Sequence, residues 1–290
     1  MRPVRPWPAR RARRAVSPRR TGAVSLAVGG VLAGAVVATA LLSLVWTPYP
    51  PEAVDTGGAL LPPGGEHPLG TDRFGRDVLS RVMAGARVTL QAGVSAVVIA
   101  AAVGVPLGVA AAMAPRWLSR LVLRANDLVL AFPALLLCIM LSAVYGGSTL
   151  TAMAAIGIAT VPLFARLARA AALPVLASEY AAAARAAGRG RVAVAVRHVL
   201  PNIADVLIVQ ASVAFAIAIL AEAALSYLGL GTQPPTPSWG RMLQEAQGLL
   251  SSAPLLSLWP GLAVAVAVLG FNMVGEGLRD LLDAGGAREG

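Results

Sequence analysis

Glu179-Tyr-Ala-Ala-Ala-Ala-Arg185-Ala-Ala-Gly188-Arg-Gly190-Arg-Val-Ala-Val-Ala-Val-Arg197-His-Val-Leu-Pro-Asn202 is the stretch on which the reading of this chain turns. Its alanines favour helix, Gly188 and Gly190 interrupt it, and a second apolar stretch, Val192 to Val199, follows. Leu200-Pro201-Asn202 closes it before another apolar run. The pattern predicts two short helices hinged at the glycines. They sit in a long connection, residues 166–202, and connections beyond about 12–15 residues are functional or disordered. Helix-favouring composition argues against disorder. Two uses fit equally. Small residues admit a neighbouring backbone while arginines pair with its charges, or an amphipathic helix lies on lipid headgroups.

Working outward, the flanks are those of a membrane protein. Of 290 residues, 57% are hydrophobic and 13% charged, about half the roughly 25% charged share of soluble domains. Mean hydropathy is +0.72. A helix needs about 20 apolar residues to cross a bilayer, and six segments are expected to do so. They are Gly22–Trp46, Val88–Ala114, Asp127–Ala143, Leu150–Phe164, Ile203–Leu225 and Leu256–Val274. Tyr145-Gly-Gly-Ser-Thr149 turns the chain between the third and fourth. Pro106, Pro133 and Pro162 interrupt three of them, which membrane bundles tolerate. Gly93, Gly104 and Gly108 suit close helix packing. Trp46, Trp117, Trp239 and Trp259 fall near span ends, as interface anchors do.

Arginine placement orients the bundle, because positively charged loops stay inside. With the N-terminus inside, nineteen arginines are cytoplasmic and five (Arg73, Arg76, Arg81, Arg87, Arg241) are outside. The expected order is an Arg/Pro-rich cytoplasmic tail (1–21), a first span (22–46) and an extracytoplasmic loop (47–87). A core of five spans (88–276) containing the 166–202 connection follows, and then a cytoplasmic C-terminus (277–290). The apolar run after Arg19-Arg20 is about 25 residues long, more than the 7–15 of a signal peptide, and is expected to be retained. The pI near 11.3 then reflects topology and contact with anionic lipid, with no nucleic-acid partner.

All 24 basic residues are arginine, which excludes P-loop and Schiff-base lysine chemistry. One cysteine, Cys138, and two histidines, His67 and His198, cannot build a disulfide framework or a Cys/His zinc site. If ATP powers this protein, another chain binds it. Glu222 falls near the outer end of the fifth span, where a carboxylate is a translocation-path candidate or a hydrated interface residue. His67 reads as packing beside Pro68.

Several motifs in one order give a resemblance. Glu179-Tyr180, Ala183-Ala184-Arg185, Gly188 and Arg197-His198-Val199-Leu200-Pro201-Asn202 resemble the EAA loop of ATP-binding-cassette importer permeases. His67-Pro-Leu-Gly-Thr-Asp-Arg-Phe-Gly-Arg-Asp77 with Gly85-Ala-Arg-Val-Thr-Leu90 is similar to the entry of the dipeptide/oligopeptide/nickel branch. So are Glu222-Ala-Ala-Leu-Ser-Tyr-Leu-Gly-Leu-Gly231, Pro235-Thr-Pro-Ser-Trp-Gly240 and the run from Trp259-Pro-Gly261 through Asn272, Gly275 and Gly277-Leu-Arg-Asp280 to Asp283. The combination resembles the second, "C"-type permease subunit and covers roughly Glu66 to Asp283. The chain departs from the pattern at Ala182, where the naming glutamate falls, at Arg189-Gly-Arg191 and at Ala193.

The resemblance implies an all-α integral membrane protein: six transmembrane helices in a type I importer-like bundle with cytoplasmic coupling helices, in the bacterial plasma membrane. Glu179, Tyr180, Ala183, Ala184, Arg185, Gly188, Arg197, His198, Leu200 and Pro201 would then dock an ATPase, with Glu179 supplying the acidic contact. It further implies two ATPase subunits holding ATP and Mg, a second permease subunit and an extracytoplasmic solute-binding protein. This chain itself would perform no catalysis and hold no cofactor. Peptides, nickel chelates or other small solutes are candidate cargo. An ion-coupled secondary transporter, which needs intramembrane carboxylates, is the competing class, with a non-transporting scaffold third.

Overall fold

The computed structural model describes residues 18–286. The tail through Ser17 and Arg288 lie outside the described residues. Among those described are ten α-helices and no strand: α1 (Pro18–Val45), α2 (Val78–Met113), α3 (Arg116–Ala131), α4 (Ala134–Tyr145), α5 (Thr149–Ala177), α6 (Glu179–Ala186), α7 (Arg191–Val194), α8 (Leu200–Tyr227), α9 (Trp239–Ala246) and α10 (Leu255–Gly286). Five spans are long and apolar enough to cross a membrane: Gly22–Val45, Val78–Met113, Thr149–Ala177, Arg191–Tyr227 and Leu255–Leu282. The pair α3–α4, bent by 84°, makes a sixth if it acts as one span. The protein is a multi-pass membrane protein.

Small residues set how the spans meet. A Cβ on Gly29 of α1 would stand 2.7 Å from the Met273 Cβ of α10, and one on Gly270 would stand 2.7 Å from the Ala33 nitrogen. The two backbones therefore nearly touch, which places Gly22 beside Asp280 at one end of the bundle. On α2, Gly104 abuts Val161 and Phe164, and Gly108 abuts Ala165 and Ala168, so α2 and α5 run side by side in the same direction. Apolar side chains such as Val31 and Leu44 of α1 remain on the outside, where hydrocarbon is their solvent. The end holding Gly22 and Asp280 also holds α6 and α7; it is called the arginine-rich end below.

Helix boundaries differ from the hydropathy reading wherever charge is paired between elements. Where the sequence places the second span from Val88, helix begins at Val78, and the preceding loop is correspondingly shorter than 47–87. Asp77 caps it, accepting from the Ser80 N–H at 2.7 Å, and also meets His67 Nδ1 at 2.9 Å. Arg81 lies inside this helix because Glu245 accepts from it at 2.9 Å. Arg116, Arg120 and Arg124, read as a loop, stand on α3, and the expected third span is split between the end of α3 and the twelve residues of α4. Phe132-Pro133 separates the two, since proline cannot continue the hydrogen-bond ladder. The fourth span continues past Phe164 to Ala177. Its Arg166 donates to Asp127 of α3 at 2.7 Å and its Arg169 to Ser119 at 3.1 Å. Thus much of the 166–202 connection is helix. The last span likewise runs on from Val274 to Gly286.

The opposite end is closed by a buried ionic net. Arg76 donates to Asp72 at 2.7 Å and to Glu245 at 2.6 Å, joining the loop before α2 to α9. Trp239 is a correction to the anchor reading: it is 2% exposed and donates through Nε1 to the Val82 carbonyl at 2.9 Å. Gly85 makes room for its ring, because a Cβ there would meet Trp239 Cδ1 at 2.8 Å. Trp46 and Trp117 are exposed, as anchors would be.

Candidate functional site: an exposed helical corner and a buried carboxylate

The corner at the arginine-rich end starts at Ser178, whose extended backbone (ψ 155°) separates α5 from α6. Its hydroxyl donates back to the Val175 carbonyl at 2.6 Å and finishes α5. The α6 helix forms because four alanines stand between Glu179 in its first turn and Arg185 in its last, charges that complement the helix dipole. Ala181 and Ala184 are buried, whereas Glu179, Tyr180, Ala182, Ala183 and Arg185 face outward. Glu179 and Ala182 are one turn apart on that face. The carboxylate missing at Ala182 thus has a substitute on the same surface.

Gly188 ends α6 in a Schellman turn. Its φ is +79°, the Gly188 N–H donates to the Arg185 carbonyl at 3.0 Å, and the Arg189 N–H donates to Ala184 at 3.1 Å. A Cβ there would meet nothing within 4 Å. Backbone conformation, and no neighbour among the described residues, is what calls for glycine. After Gly190 the chain re-enters helix at α7, widens into a π turn over Ala195–Val199 and continues directly into α8. Leu200-Pro201-Asn202 therefore ends nothing. Pro201 occupies the first turn of α8, where a missing N–H is tolerated. Val199 and Ile203 pack with Phe164, Ala168 and Ala172 of α5 and fix the corner to the bundle.

Tyr180 and His198 bring α6 against the π turn, with ring centroids 6.1 Å apart. The His198 carbonyl accepts from Asn202 at 2.8 Å. Leu200 is half-buried, while Arg197 and Pro201 are exposed. The ten residues singled out in the sequence thus converge on one corner, with Ala184 as support beneath it. Glu179, Arg185, Arg189, Arg191 and Arg197 make no ion pair among the described residues. Missed by sequence reasoning is an apolar groove of about 480 Å³ alongside, lined by Val105, Val109, Met113, Leu118, Val192 and Val196 among others. The available signal is Val192 and Val196, one turn apart and both exposed.

Glu222 stands elsewhere, near the far end of α8, and is 1% exposed. Oε1 accepts from the Ser226 hydroxyl at 2.7 Å and from Thr232 at 3.3 Å, while Oε2 has no partner. Ser226 in turn accepts the Thr232 N–H at 3.0 Å. The carboxylate fastens the segment after α8 to the helix.

Comparison with known proteins agrees with this architecture. Residues 104–285 match the family described as binding-protein-dependent transport system inner membrane component. The chain is similar to the dipeptide transport system permease protein DppC of Alkalihalophilus pseudofirmus, 45% identical over 221 residues, covering 76% of this chain and 73% of the relative. A putative peptide transport system permease protein of Brucella suis is 41% identical, covering 89% of this chain and 87% of the relative. The glutathione transport system permease protein GsiD of Escherichia coli is 41% identical over 76% of this chain and 73% of its own length.

Proposed function

The chain belongs to the family of binding-protein-dependent transport system inner membrane components, and on that premise we propose that it is one permease subunit of an ATP-driven importer of short peptides. The observation that carries the reading is the exposed corner built by α6, Gly188 and α7. Its ionic groups make no ion pair among the described residues, and it is joined without a break to a membrane span. A surface charged on both signs beside an apolar groove suits a protein partner. In this reading the partner is one of two ATPase subunits, which hold ATP and Mg and carry out the hydrolysis. Glu179 supplies the acidic contact that Ala182 lacks. The corner and both termini are cytoplasmic, as the arginine distribution favours, and the membrane is the bacterial plasma membrane. A second permease subunit completes the pore, and an extracytoplasmic binding protein delivers the solute.

Peptide is the favoured cargo because the similar proteins are described as dipeptide, peptide and glutathione permeases. ATP binding draws the ATPases together, α6 moves with them, and the spans follow until the path opens outward. Hydrolysis restores the inward state. This chain breaks and makes no covalent bond. The ion-coupled alternative rests on Glu222, whose carboxylate is buried and engaged by Ser226 and Thr232.

The test is uptake in proteoliposomes holding this chain, its partner permease, both ATPases and the binding protein. ATP-dependent accumulation of radiolabelled alanyl-alanine is expected, and it should vanish when this chain is omitted. Uptake driven by an ion gradient without ATP would overturn the reading.

A further inference from the structure

At the end opposite the corner, several ionic side chains pair between elements, as in Arg76–Glu245 and His67–Asp77. One cavity there instead brings two unpaired charges of opposite sign to its lining. It measures about 350 Å³ and is lined by Pro50, Glu52, Arg87, Gln91, Thr236 and Pro237 among others. A volume in the range of about 300–1,000 Å³ is that of small-molecule sites. Neither the Glu52 carboxylate nor the Arg87 guanidinium has a hydrogen bond or ion pair among the described residues. Two unpaired charges of opposite sign therefore face one cavity without neutralising each other.

The walls are stiff. Pro50 and Pro237 have fixed φ, and the α2 wall is anchored because Ala84 and Val88, which also line it, are buried. Arg87 and Gln91 lie one turn apart on α2, and the same face continues as Val94 and Val98, both exposed and apolar. Charge recognition is thus confined to the mouth of this face.

We propose that the cavity is a binding station for the zwitterionic backbone of a short peptide. Arg87 takes the α-carboxylate in a forked, charge-assisted hydrogen bond, and Glu52 takes the α-ammonium group. Gln91 and Thr236 offer neutral hydrogen bonds between the two charges. A cavity with one charge of each sign selects a dipolar solute over a simple anion or cation. The assignment rests on the importer reading above.

The experiment uses this chain with its partner permease and ATPases in nanodiscs, without the binding protein, so that only the membrane complex selects. The probe is alanyl-photo-leucine, cross-linked by light and mapped by mass spectrometry. Label is expected on residues 50–52, 84–91 or 236–237. Unlabelled alanyl-leucine should suppress it, while N-acetyl-alanyl-leucine and alanyl-leucine amide should not. Arg87→Gln and Glu52→Gln should each reduce labelling by at least about tenfold. Arg87→Lys should retain part of it, and Glu66→Gln, a carboxylate outside the cavity, all of it. Labelling that both blocked peptides suppress as well as the free one, or that survives both charge removals, would overturn the station. If intact proteoliposomes import alanyl-alanine but the cavity takes no label, the station fails and the importer stands. If they import no peptide at all, both fall.

Discussion

Arg81 on α2 donates to Glu245 on α9 at 2.9 Å, although the two are 164 positions apart in the chain. The guanidinium is 1% exposed and has Asp72 at 3.6 Å as a second counter-ion. Arg81→Met should therefore leave Asp72 and Glu245 to Arg76 and Arg241 alone, at a cost below the about 3–5 kcal/mol of a wholly unpaired buried charge. A clearly lowered unfolding midpoint of the detergent-solubilised complex is expected. Arg81→Met combined with Glu245→Leu should recover part of the loss. A wild-type midpoint for the single variant would mean that water already screens the net.

Gly188 is held at φ +79° with open space around its Cβ position. Its replacement is costly through the backbone alone, by about 1–2 kcal/mol for a side chain that resists the left-handed region. Gly188→Val should abolish ATP-dependent uptake and weaken ATPase co-purification while leaving membrane abundance normal. Gly188→Asn, which tolerates that conformation, should keep most of the activity. Equal activity in both variants would show that α6 can reorient without loss of coupling.

Glu222 holds Ser226 and Thr232 together beneath the segment that leads to α9. Glu222→Ala should release residues 228–238 and make them sensitive to protease added from that side. Glu222→Gln keeps an acceptor in place and should protect them almost as well as glutamate. Protection unchanged in the alanine variant would assign the fastening to the apolar contacts of Leu225 instead.

Sidedness has a direct test, because Cys138 is 1% exposed and its removal costs little packing. In a Cys138→Ala background, an impermeant maleimide applied to sealed right-side-out vesicles should label Gly64→Cys and spare Gly190→Cys. The opposite pattern would invert the bundle.

The sequence reveals the spans well where they are uniformly apolar, and poorly where charges continue a helix. Arg166, Arg169 and Arg81 look like span ends in a hydropathy window. Each is helical because Asp127, Ser119 or Glu245 meets it from another element. Those partners are distant in sequence, so no local pattern announces them. The corner was legible for the opposite reason: Gly188, the alanine run and Glu179 act through local turn and helix physics. The Glu52–Arg87 cavity was not. Its two charges lie on separate elements that only the folded loop before α2 brings to one space.

The helix that begins at Arg191 and ends at Tyr227 has a mechanical meaning. Thirty-seven continuously helical residues, with a π turn at Ala195–Val199, make an arm of about 55 Å at 1.5 Å per residue. Tilting such an arm by about 6° around one tip carries the other through about 6 Å, roughly one helical turn. With the pivot near Ile203, a shift at Val192 would be enlarged less than about twofold at Glu222, by the ratio of the two arm lengths at 1.5 Å per residue. In the proposed importer cycle, such a helix would connect the two ends of the bundle without a relay of rearranging side chains.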